Sequence, residues 1–291
     1  MQGLEGVRVL EMGNLVSAPY ASKLLADLGA DVIKLELPEG DEARRRGPYP
    51  GHRRDPEQSG LFLYLNTNKR GATLDPVADR AAFLDAIAWA DILIHNFTPR
   101  RIAELGLDFA ALSAHNPRLV VCAITPFGLT GPHRDYEATE LTIAHGGGWA
   151  WLSPNGADDP ELPPLKAGGH QSDFQVGAAA ATVAAAAYYR ALATSIGELI
   201  DLSAQEYIAS ILEQNFVHYT YAGNVASRLG RRLLFPWGTF QCKDGPIFLI
   251  IGEESQWQRL VDLMGNPEWA AWEIFKDGYS RSENSDVLRM Y

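Results

Sequence analysis

Residues 7–36 read VRVLEMGNLVSAPYASKLLADLGADVIKLE, and this stretch decides the fold. The β-branched run at residues 7–12 predicts a buried strand, and apolar residues at helical spacing from Pro19 to Leu28 predict a helix. A second β-branched run at residues 31–36 predicts another strand. Strand, helix and strand within about 30 residues form a βαβ unit, which implies parallel pairing and a right-handed crossover.

The same alternation continues along the chain. Helical spacing at residues 81–89 precedes a strand at residues 91–95, and a short helix at residues 108–114 precedes a strand at residues 119–124. Alternating elements of this kind predict an α/β fold with a doubly wound, Rossmann-like parallel sheet. The alanine-rich segment 177–192 predicts a long helix with close neighbours, because alanine favours helices and has a small side chain.

Composition changes near residues 223–232, which are polar and basic. Beyond them, Asp244-Gly245 is a hairpin signal and residues 254–264 have helical spacing. We therefore predict a large Rossmann-like domain over residues 1–223 and a second, smaller α+β domain over residues 224–291. A helix start shortly before the last residue leads us to expect that this second domain is incomplete.

The bulk composition restricts the class of protein. The chain has 291 residues, a hydrophobic fraction of 46% and a formal net charge of −11. Such an acidic chain is a poor general binder of nucleic acid or anionic membrane, and we expect neither as a partner. The two cysteines do not have zinc-site spacing, the N-terminus is not typical of a signal peptide, and the low-charge stretch 176–189 is shorter than a membrane span. These features predict a cytoplasmic protein without a bound metal.

Several common catalytic signatures are missing from the sequence. The first predicted βα turn, residues 13–19, is not a dinucleotide-binding fingerprint, and no phosphate-binding loop motif occurs elsewhere. No Gly-x-Ser-x-Gly elbow occurs either. Nicotinamide enzymes and serine hydrolases are therefore disfavoured despite the predicted sheet.

Asp173 lies directly before the alanine-rich helix. Aspartate is a favourable N-cap, worth about 1 kcal/mol, so a structural role at the helix start is one interpretation. The other interpretation is functional, because a helix N-terminus stabilises negative charge and a partly buried aspartate there could act as a nucleophile. The residue pattern alone leaves both open.

Two polar segments follow predicted apolar elements. Residues 66–70 predict either a polar turn or a pocket of amides and cations for phosphate groups. Residues 96–101 follow a strand, and ligands bind beyond the carboxyl ends of strands in doubly wound sheets. An ordinary capped βα loop is the alternative for this second segment, because Pro99 suits a first helical turn.

Many segments of the chain, in the same order, resemble the family III CoA-transferases, the group that contains formyl-CoA:oxalate and carnitine CoA-transferases. The resemblance covers nearly the whole chain. The segments that carry it are Leu4–Leu10, Ala18–Ala21, Leu25–Glu36, Pro38–Asp41, Asn66–Arg70, Asn96–Pro99, Leu105–Asp108, Asn116–Val120, Phe127–Pro132, Pro236–Phe240 and Trp257–Gly265.

The resemblance implies that Asp173 is the catalytic nucleophile. It would attack an acyl-CoA thioester, pass through a mixed anhydride and an aspartyl-CoA thioester, and deliver CoA to a free carboxylic acid. CoA would then be part of the substrates, and no permanently bound cofactor is implied. In this family the dimers are interlocked and the chains are longer, so the resemblance also implies an interlocked homodimer and a C-terminally truncated chain.

The resemblance further implies a CoA site within residues 1–223. The loop at Val16 and Ser17 would face the thioester. The other residues of the implied site are Asn66, Thr67, Asn68, Lys69, Asn96, Phe97, Thr98, Arg134, Tyr136 and Glu137.

Some positions depart from the family pattern. Val16 stands where the formyl-CoA enzyme has a glutamine, which argues against oxalate or formate chemistry. Leu37 and Glu104 stand where that enzyme has arginines on CoA, and Arg100 or Arg101 could compensate. Two alternatives stay open. One is an α-methylacyl-CoA racemase, although residues 172–176 lack the glycines of the corresponding racemase segment. The other is an inactive fragment that binds CoA.

Overall fold

The computed structural model describes residues 3–154, 159–229 and 234–291. The chain folds into two compact units, residues 1–149 with 166–217, and residues 150–165 with 218–291. The domain boundary that composition predicts between residues 223 and 224 stays a prediction.

The first unit is built on a six-stranded parallel sheet, which confirms the predicted α/β fold. The strands are β1 (Arg8–Met12), β2 (Asp31–Glu36), β3 (Arg70–Thr73), β4 (Ile92–His95), β5 (Val120–Thr125) and β6 (Leu199–Ser203). They follow the spatial order β3-β2-β1-β4-β5-β6. This order reverses between β1 and β4, the place where doubly wound sheets bind ligands beyond their carboxyl ends.

Helices cover both faces of this sheet. The α-helices before residue 223 are α1 (Ser17–Asp27), α2 (Gly60–Leu65), α3 (Arg80–Trp89), α4 (Pro99–Leu105), α5 (Phe109–His115), α6 (Glu140–Gly146), α7 (Gln171–Thr194), α8 (Ala204–Ser210) and α9 (Glu213–Ala222). Alternate strand residues point to opposite faces, so Val9 and Ile92 join one apolar cluster with α1 and α7, while Leu10 and Leu93 join another with α3 and α5.

Helix α7 is the longest helix among the described residues, at 24 residues. It is longer than the low-charge stretch 176–189. The mean hydropathy of its most apolar window is 1.2, so by length and composition alone it could cross a membrane. However, its alanine face, including Ala180 and Ala184, is buried in the apolar cluster with α1 and β5. Since a core helix can pass the same test, these packing contacts lead us to treat α7 as a core helix.

Close packing of α7 on α1 depends on Gly177. A Cβ atom added there would lie 2.6 Å from the Ser17 backbone oxygen, so one helix would have to move. We expect Gly177→Ala to lower the free energy of unfolding by about 1–3 kcal/mol, although the same change in an exposed helix stabilises. Urea unfolding measures the effect, with Thr182→Ala on the exposed face of α7 as the control. Equal stability of Gly177→Ala and the unaltered protein would contradict this packing argument.

The second unit combines a hairpin with short helices. Strands β7 (Trp237–Cys242) and β8 (Gly245–Ile250) are antiparallel, and Lys243 and Asp244 connect them. A small core of Phe235, Trp257 and Phe275 holds the unit together. Its other elements are α10 (Glu254–Leu263), α11 (Gly278–Glu283), α12 (Ser285–Leu288) and the 3-10 turns Glu268–Ala271 and Glu273–Phe275.

Candidate active site

A cleft with a cavity volume of about 200 Å³ opens at the carboxyl ends of β1, β4 and β5, in the first unit. The β1–α1 loop forms one wall, and the start of α6 and the first turns of α7 form another. The residues that line it are Asn14, Leu15, Val16, Ser17, Glu42, Asn96, Ile124, Thr125, Pro126, Ala138, Thr139, Glu140, Ile143, Asp173, Val176 and Ala204. The cleft therefore contains the predicted nucleophile and lies where the strand order reverses.

Side chains from two other segments hold the β1–α1 loop in shape. The side-chain amide of Asn96 donates to the Asn14 backbone oxygen (2.7 Å) and to Ser17 Oγ (3.0 Å), and its oxygen accepts the Asn14 N–H (2.8 Å). Asp41 Oδ1 accepts the N–H of Leu15 (2.9 Å), whose φ of 64° is unfavourable for a leucine. The predicted CoA contact Asn96 thus uses its amide group to brace this loop.

Four charged side chains lie buried beneath the same loop. Lys34 Nζ lies 3.0 Å from Glu11 Oε1 and 2.8 Å from Asp41 Oδ2, and it also donates to the Gly13 backbone oxygen (3.0 Å). Lys69 Nζ lies 3.2 Å from Glu11 Oε2 and donates to the Pro19 backbone oxygen (2.7 Å). The exposed fraction of all four side chains is 2% or less. We call these residues, Glu11, Lys34, Asp41 and Lys69, the buried charge network.

The buried charge network shifts the pKa values of its members. Burial opposes the charged form of Glu11, but the ammonium groups of Lys34 and Lys69 outweigh burial and lower the pKa of Glu11. Burial likewise opposes a charged Lys34, but Glu11 and Asp41 together raise its pKa. For Lys69, burial prevails and lowers the pKa to about 8, because Glu11 compensates only in part. Glu11 therefore shares the compensation of the two lysine charges with Asp41.

Asp173 lies in the first turn of α7 with a side chain that is 23% exposed. The helix begins after His170, so Asp173 is its third residue and not its N-cap, and the capping interpretation is wrong. Asp173 Oδ2 lies 3.0 Å from His170 Nδ1. The carboxylate of Glu140 accepts the backbone N–H groups of Ser172 (2.9 Å) and Asp173 (3.0 Å). The Asp173 carboxylate thus lines the cleft, while the Glu140 carboxylate binds the backbone N–H groups of Ser172 and Asp173.

The pairing with Asp173 should make stability depend on the protonation of His170. The hydrogen bond to Asp173 raises the pKa of His170 although burial opposes it; Glu140 adds to the rise and Lys166 opposes it. An imidazolium with a raised folded-state pKa contributes stability that is fully present below the unfolded value of about 6.5 and is lost as pH rises through the folded value.

We therefore expect the stability advantage of the unaltered protein over His170→Gln to be largest at about pH 6. It should shrink as pH rises towards about 9, because the imidazole loses its charge. Urea unfolding of both proteins across this range measures the difference. An advantage that does not change with pH would show that the charged pair does not form.

The other predicted site residues are distributed around the first unit. Val16, Ser17 and Asn96 line the cleft, and the contacts predicted for them with the thioester and CoA stay predictions. Phe97 lines a second cavity of about 240 Å³, together with Arg101, one of the two arginines that could compensate for missing CoA contacts. Thr98 accepts the N–H of Arg101 (3.4 Å) and caps α4.

The segments 66–69 and 134–137 line neither of these two cavities in the described part of the chain. Lys69 belongs to the buried charge network, and Asn66, Thr67 and Asn68 bond to Lys69, Tyr64 and Asp27, respectively. In the other segment, Arg134 pairs with Asp135, Tyr136 stacks on His133, and Glu137 lies 3.6 Å from Arg100. Their contacts with CoA stay predictions.

Sequence reasoning missed Glu140 and the buried charge network. Glu140 and Asp173 are separated by 33 positions, and no pattern along the chain pairs them. Within the described ranges, Glu140, His170 and Asp173 could each offer one ligand atom to a small cation, since these atoms lie within 4.8 Å of one another. Both oxygens of Glu140 and one of Asp173 already accept or share hydrogen bonds in the protein, and we assign no metal here.

Comparison with known proteins gives consistent matches over almost the whole chain. The family model described as CoA-transferase family III matches residues 4–290. The acetyl-CoA:oxalate CoA-transferase of Acetobacter aceti is 31% identical over 98% of this chain and 72% of its own length. The succinate–glutarate CoA-transferase of Agrobacterium fabrum is 32% identical over 90% of this chain and 66% of its own length. The chain therefore spans 66% to 72% of these two relatives.

Solved structures match the fold closely. A CAIB/BAIF family protein from Brucella suis superposes with a TM-score of 0.81 at 29% identity, covering 99% of this chain and 76% of that one. A hypothetical protein from Mycobacterium tuberculosis superposes with a TM-score of 0.85 at 25% identity, covering 100% and 76%. The similarity thus extends from the sequence to the three-dimensional fold.

Proposed function

The chain belongs to the family III CoA-transferases, and from this membership we propose that Asp173 carries CoA between an acyl-CoA and a free carboxylic acid as a covalent intermediate. One observation supports the assignment to Asp173 above the others. Its carboxylate lines the cleft at the carboxyl ends of the strands, with His170 as its hydrogen-bonding partner, and it does not cap its own helix.

The proposed reaction starts with attack of one Asp173 oxygen on the thioester carbonyl. The carbon–sulfur bond breaks, CoA leaves as a thiolate, and a mixed anhydride forms. The thiolate then attacks the aspartyl carbonyl carbon, so that the donor acid leaves as a carboxylate and an aspartyl-CoA thioester remains. This splits one difficult exchange into easier steps.

The acceptor acid completes the cycle by the reverse sequence. Its carboxylate attacks the aspartyl thioester, the thiolate leaves, and a second mixed anhydride forms. Attack of the thiolate on the acceptor's acyl carbon gives the new acyl-CoA and restores the Asp173 carboxylate. No net proton is gained or lost in the sum of these steps, so the residues in the cleft need only to position the reactants and stabilise charge.

An oxygen-labelled acceptor acid tests this route. In the proposed sequence, one labelled carboxylate oxygen of the acceptor is transferred to Asp173 in each turnover. Mass spectrometry of the Asp173 peptide after turnover with ¹⁸O-labelled acid should find the label there. In a second experiment, the protein is mixed with the acyl-CoA alone and quenched with acid, which should trap a CoA adduct on the same residue. Turnover without label in Asp173 would contradict a covalent aspartyl route.

The acids themselves belong to the same proposal. The similar enzymes are named for oxalate, succinate and glutarate, so dicarboxylic acids are the first acceptors to test. Val16 lines the cleft at the position where the formyl-CoA enzyme has a glutamine, which leads us to rank succinate and glutarate above oxalate. We also expect a cytoplasmic homodimer, and light scattering of the purified protein would measure its mass.

An α-methylacyl-CoA racemase is the second candidate. The contact of His170 with Asp173 supports it, because a racemase needs a pair of groups that exchange a proton at the acyl α-carbon. Incubation with an acyl-CoA in deuterated water distinguishes the two functions. Transfer leaves the α-carbon unlabelled, whereas racemisation exchanges its proton.

A further inference from the structure

Glu140 is buried at the meeting point of two helix starts. It is the first residue of α6, where Thr139 and Thr142 form a capping box, and its side chain is only 7% exposed. Its two carboxylate oxygens accept the N–H groups of Ser172 and Asp173 at 2.9 and 3.0 Å, in the first turn of α7. Lys166 Nζ lies 3.8 Å from the same carboxylate. The Glu140 carboxylate is therefore fixed by the amides of α7 and by the nearby ammonium group of Lys166.

The first amides of a helix attract any nearby carboxylate, because they have no partners within the helix and carry the positive end of its dipole. Asp173 is the third residue of α7, so its own N–H group is one of these first amides. In this chain Glu140 binds the N–H groups of the second and third residues, Ser172 and Asp173. The side chain of Asp173 contacts the His170 ring through Oδ2.

We infer that Glu140 is a positioning residue for the transfer reaction: by binding the N–H groups of Ser172 and Asp173, it fixes the backbone of the first turn of α7, from which the Asp173 carboxylate reaches the cleft. This inference rests on the proposed function of Asp173. Glu140 does not have to touch the substrate, since its effect is on the direction of the attacking oxygen. Attack by a misplaced group is slow, and an error of about 1 Å can lower the rate about 100-fold.

The test variant is Glu140→Gln, which keeps the size of the side chain but offers one acceptor oxygen in place of two. One N–H group of the first turn of α7 then loses its partner, and the backbone that carries Asp173 is held less firmly. We expect kcat for CoA exchange to fall about 10- to 100-fold, while KM for the acyl-CoA stays within about 2-fold, because both oxygens of Glu140 are bonded to α7. Formation of the CoA adduct on Asp173 should slow by the same factor as kcat.

Asp108→Asn is the matched control. Asp108 Oδ1 accepts the N–H groups of Ala110 (3.0 Å) and Ala111 (3.2 Å) at the start of α5, so it has the same structural task away from the cleft. Both variants should lower the melting temperature slightly, and only Glu140→Gln should lower kcat. Glu140→Asp keeps two acceptor oxygens on a shorter side chain and should give a kcat between those of Glu140→Gln and the unaltered protein.

The outcomes separate the two proposals. If Glu140→Gln keeps kcat within about 2-fold while the adduct still forms on Asp173, the positioning role of Glu140 is wrong and the function of Asp173 stands. Equal losses for Glu140→Asp and Glu140→Gln would also overturn the positioning role. If the unaltered protein forms no adduct on Asp173 during exchange, the proposed function fails, whatever the variants do.

Discussion

Replacement of Asp173 by asparagine should abolish exchange of CoA between an acyl-CoA and a free acid, with a fall in kcat of at least about 1,000-fold. The amide has nearly the same shape as the carboxylate, and its oxygen can still accept a hydrogen bond from His170. The asparagine side chain cannot form the mixed anhydride with the acyl group, because an amide oxygen is a poor nucleophile. The loss should therefore be chemical and not structural.

Transfer of CoA from an acyl-CoA to a labelled free acid measures the loss, and calorimetry with CoA checks that binding remains. Asp173→Asn should bind CoA with an affinity close to that of the unaltered protein, since no predicted CoA contact is changed. Asp108→Asn serves again as the control and should keep full activity. If Asp173→Asn retains more than about a tenth of the exchange rate, Asp173 is not the nucleophile.

The largest expected effect on stability comes from Glu11. Glu11→Gln removes the negative charge between Lys34 and Lys69 and leaves Asp41 as the anion among the described members of the buried charge network. Because burial already opposes a charged Lys69, an uncompensated ammonium group there is very unfavourable. We expect the free energy of unfolding to fall by about 3–5 kcal/mol. Urea unfolding near pH 7 is the measurement.

A second substitution shows whether charge is the cause. Lys69→Met in the Glu11→Gln background removes the uncompensated charge but keeps an unbranched side chain, so it should restore part of the lost stability. If Glu11→Gln lowered stability through side-chain shape alone, Lys69→Met would not restore that stability. The network also fixes the β1–α1 loop through the contact of Lys34 with the Gly13 backbone oxygen, so a destabilised network should lower activity as well.

The arrangement of the cleft shows how the fold and the proposed chemistry are connected. The reversal of strand order between β1 and β4 brings the β1–α1 loop next to Asn96, and the side chain of Asn96 then holds that loop. The alanine-rich face of α7 lets the helix pack on α1 without bulky side chains, with Gly177 at the close contact. This packing places the start of α7, and with it Asp173, at the cleft.

Local patterns were enough to predict the sheet and to single out Asp173 as a candidate. Strands and helices leave periodic apolar residues along the chain, so residues 7–36 already imply a parallel βαβ unit. Asp173 stands out because it lies where a short polar segment ends and a strongly helical segment begins. The resemblance to family III then gave it a chemical role. Each of these signals lies within a few consecutive turns or strands, where neighbours in sequence are also neighbours in space.

The roles of Glu140 and Lys69 could not be read from such patterns. Lys69 lies in a polar turn that suggests contact with a phosphate, yet the structure buries its ammonium group against Glu11, 58 positions away. Glu140 reaches α7 from another helix, 33 positions before Asp173. Charges in a protein interior respond to burial and to partners brought together by chain topology, and neither quantity has a periodicity along the sequence. For that reason the elements follow from local pattern, whereas the electrostatics of the cleft follow from the folded chain.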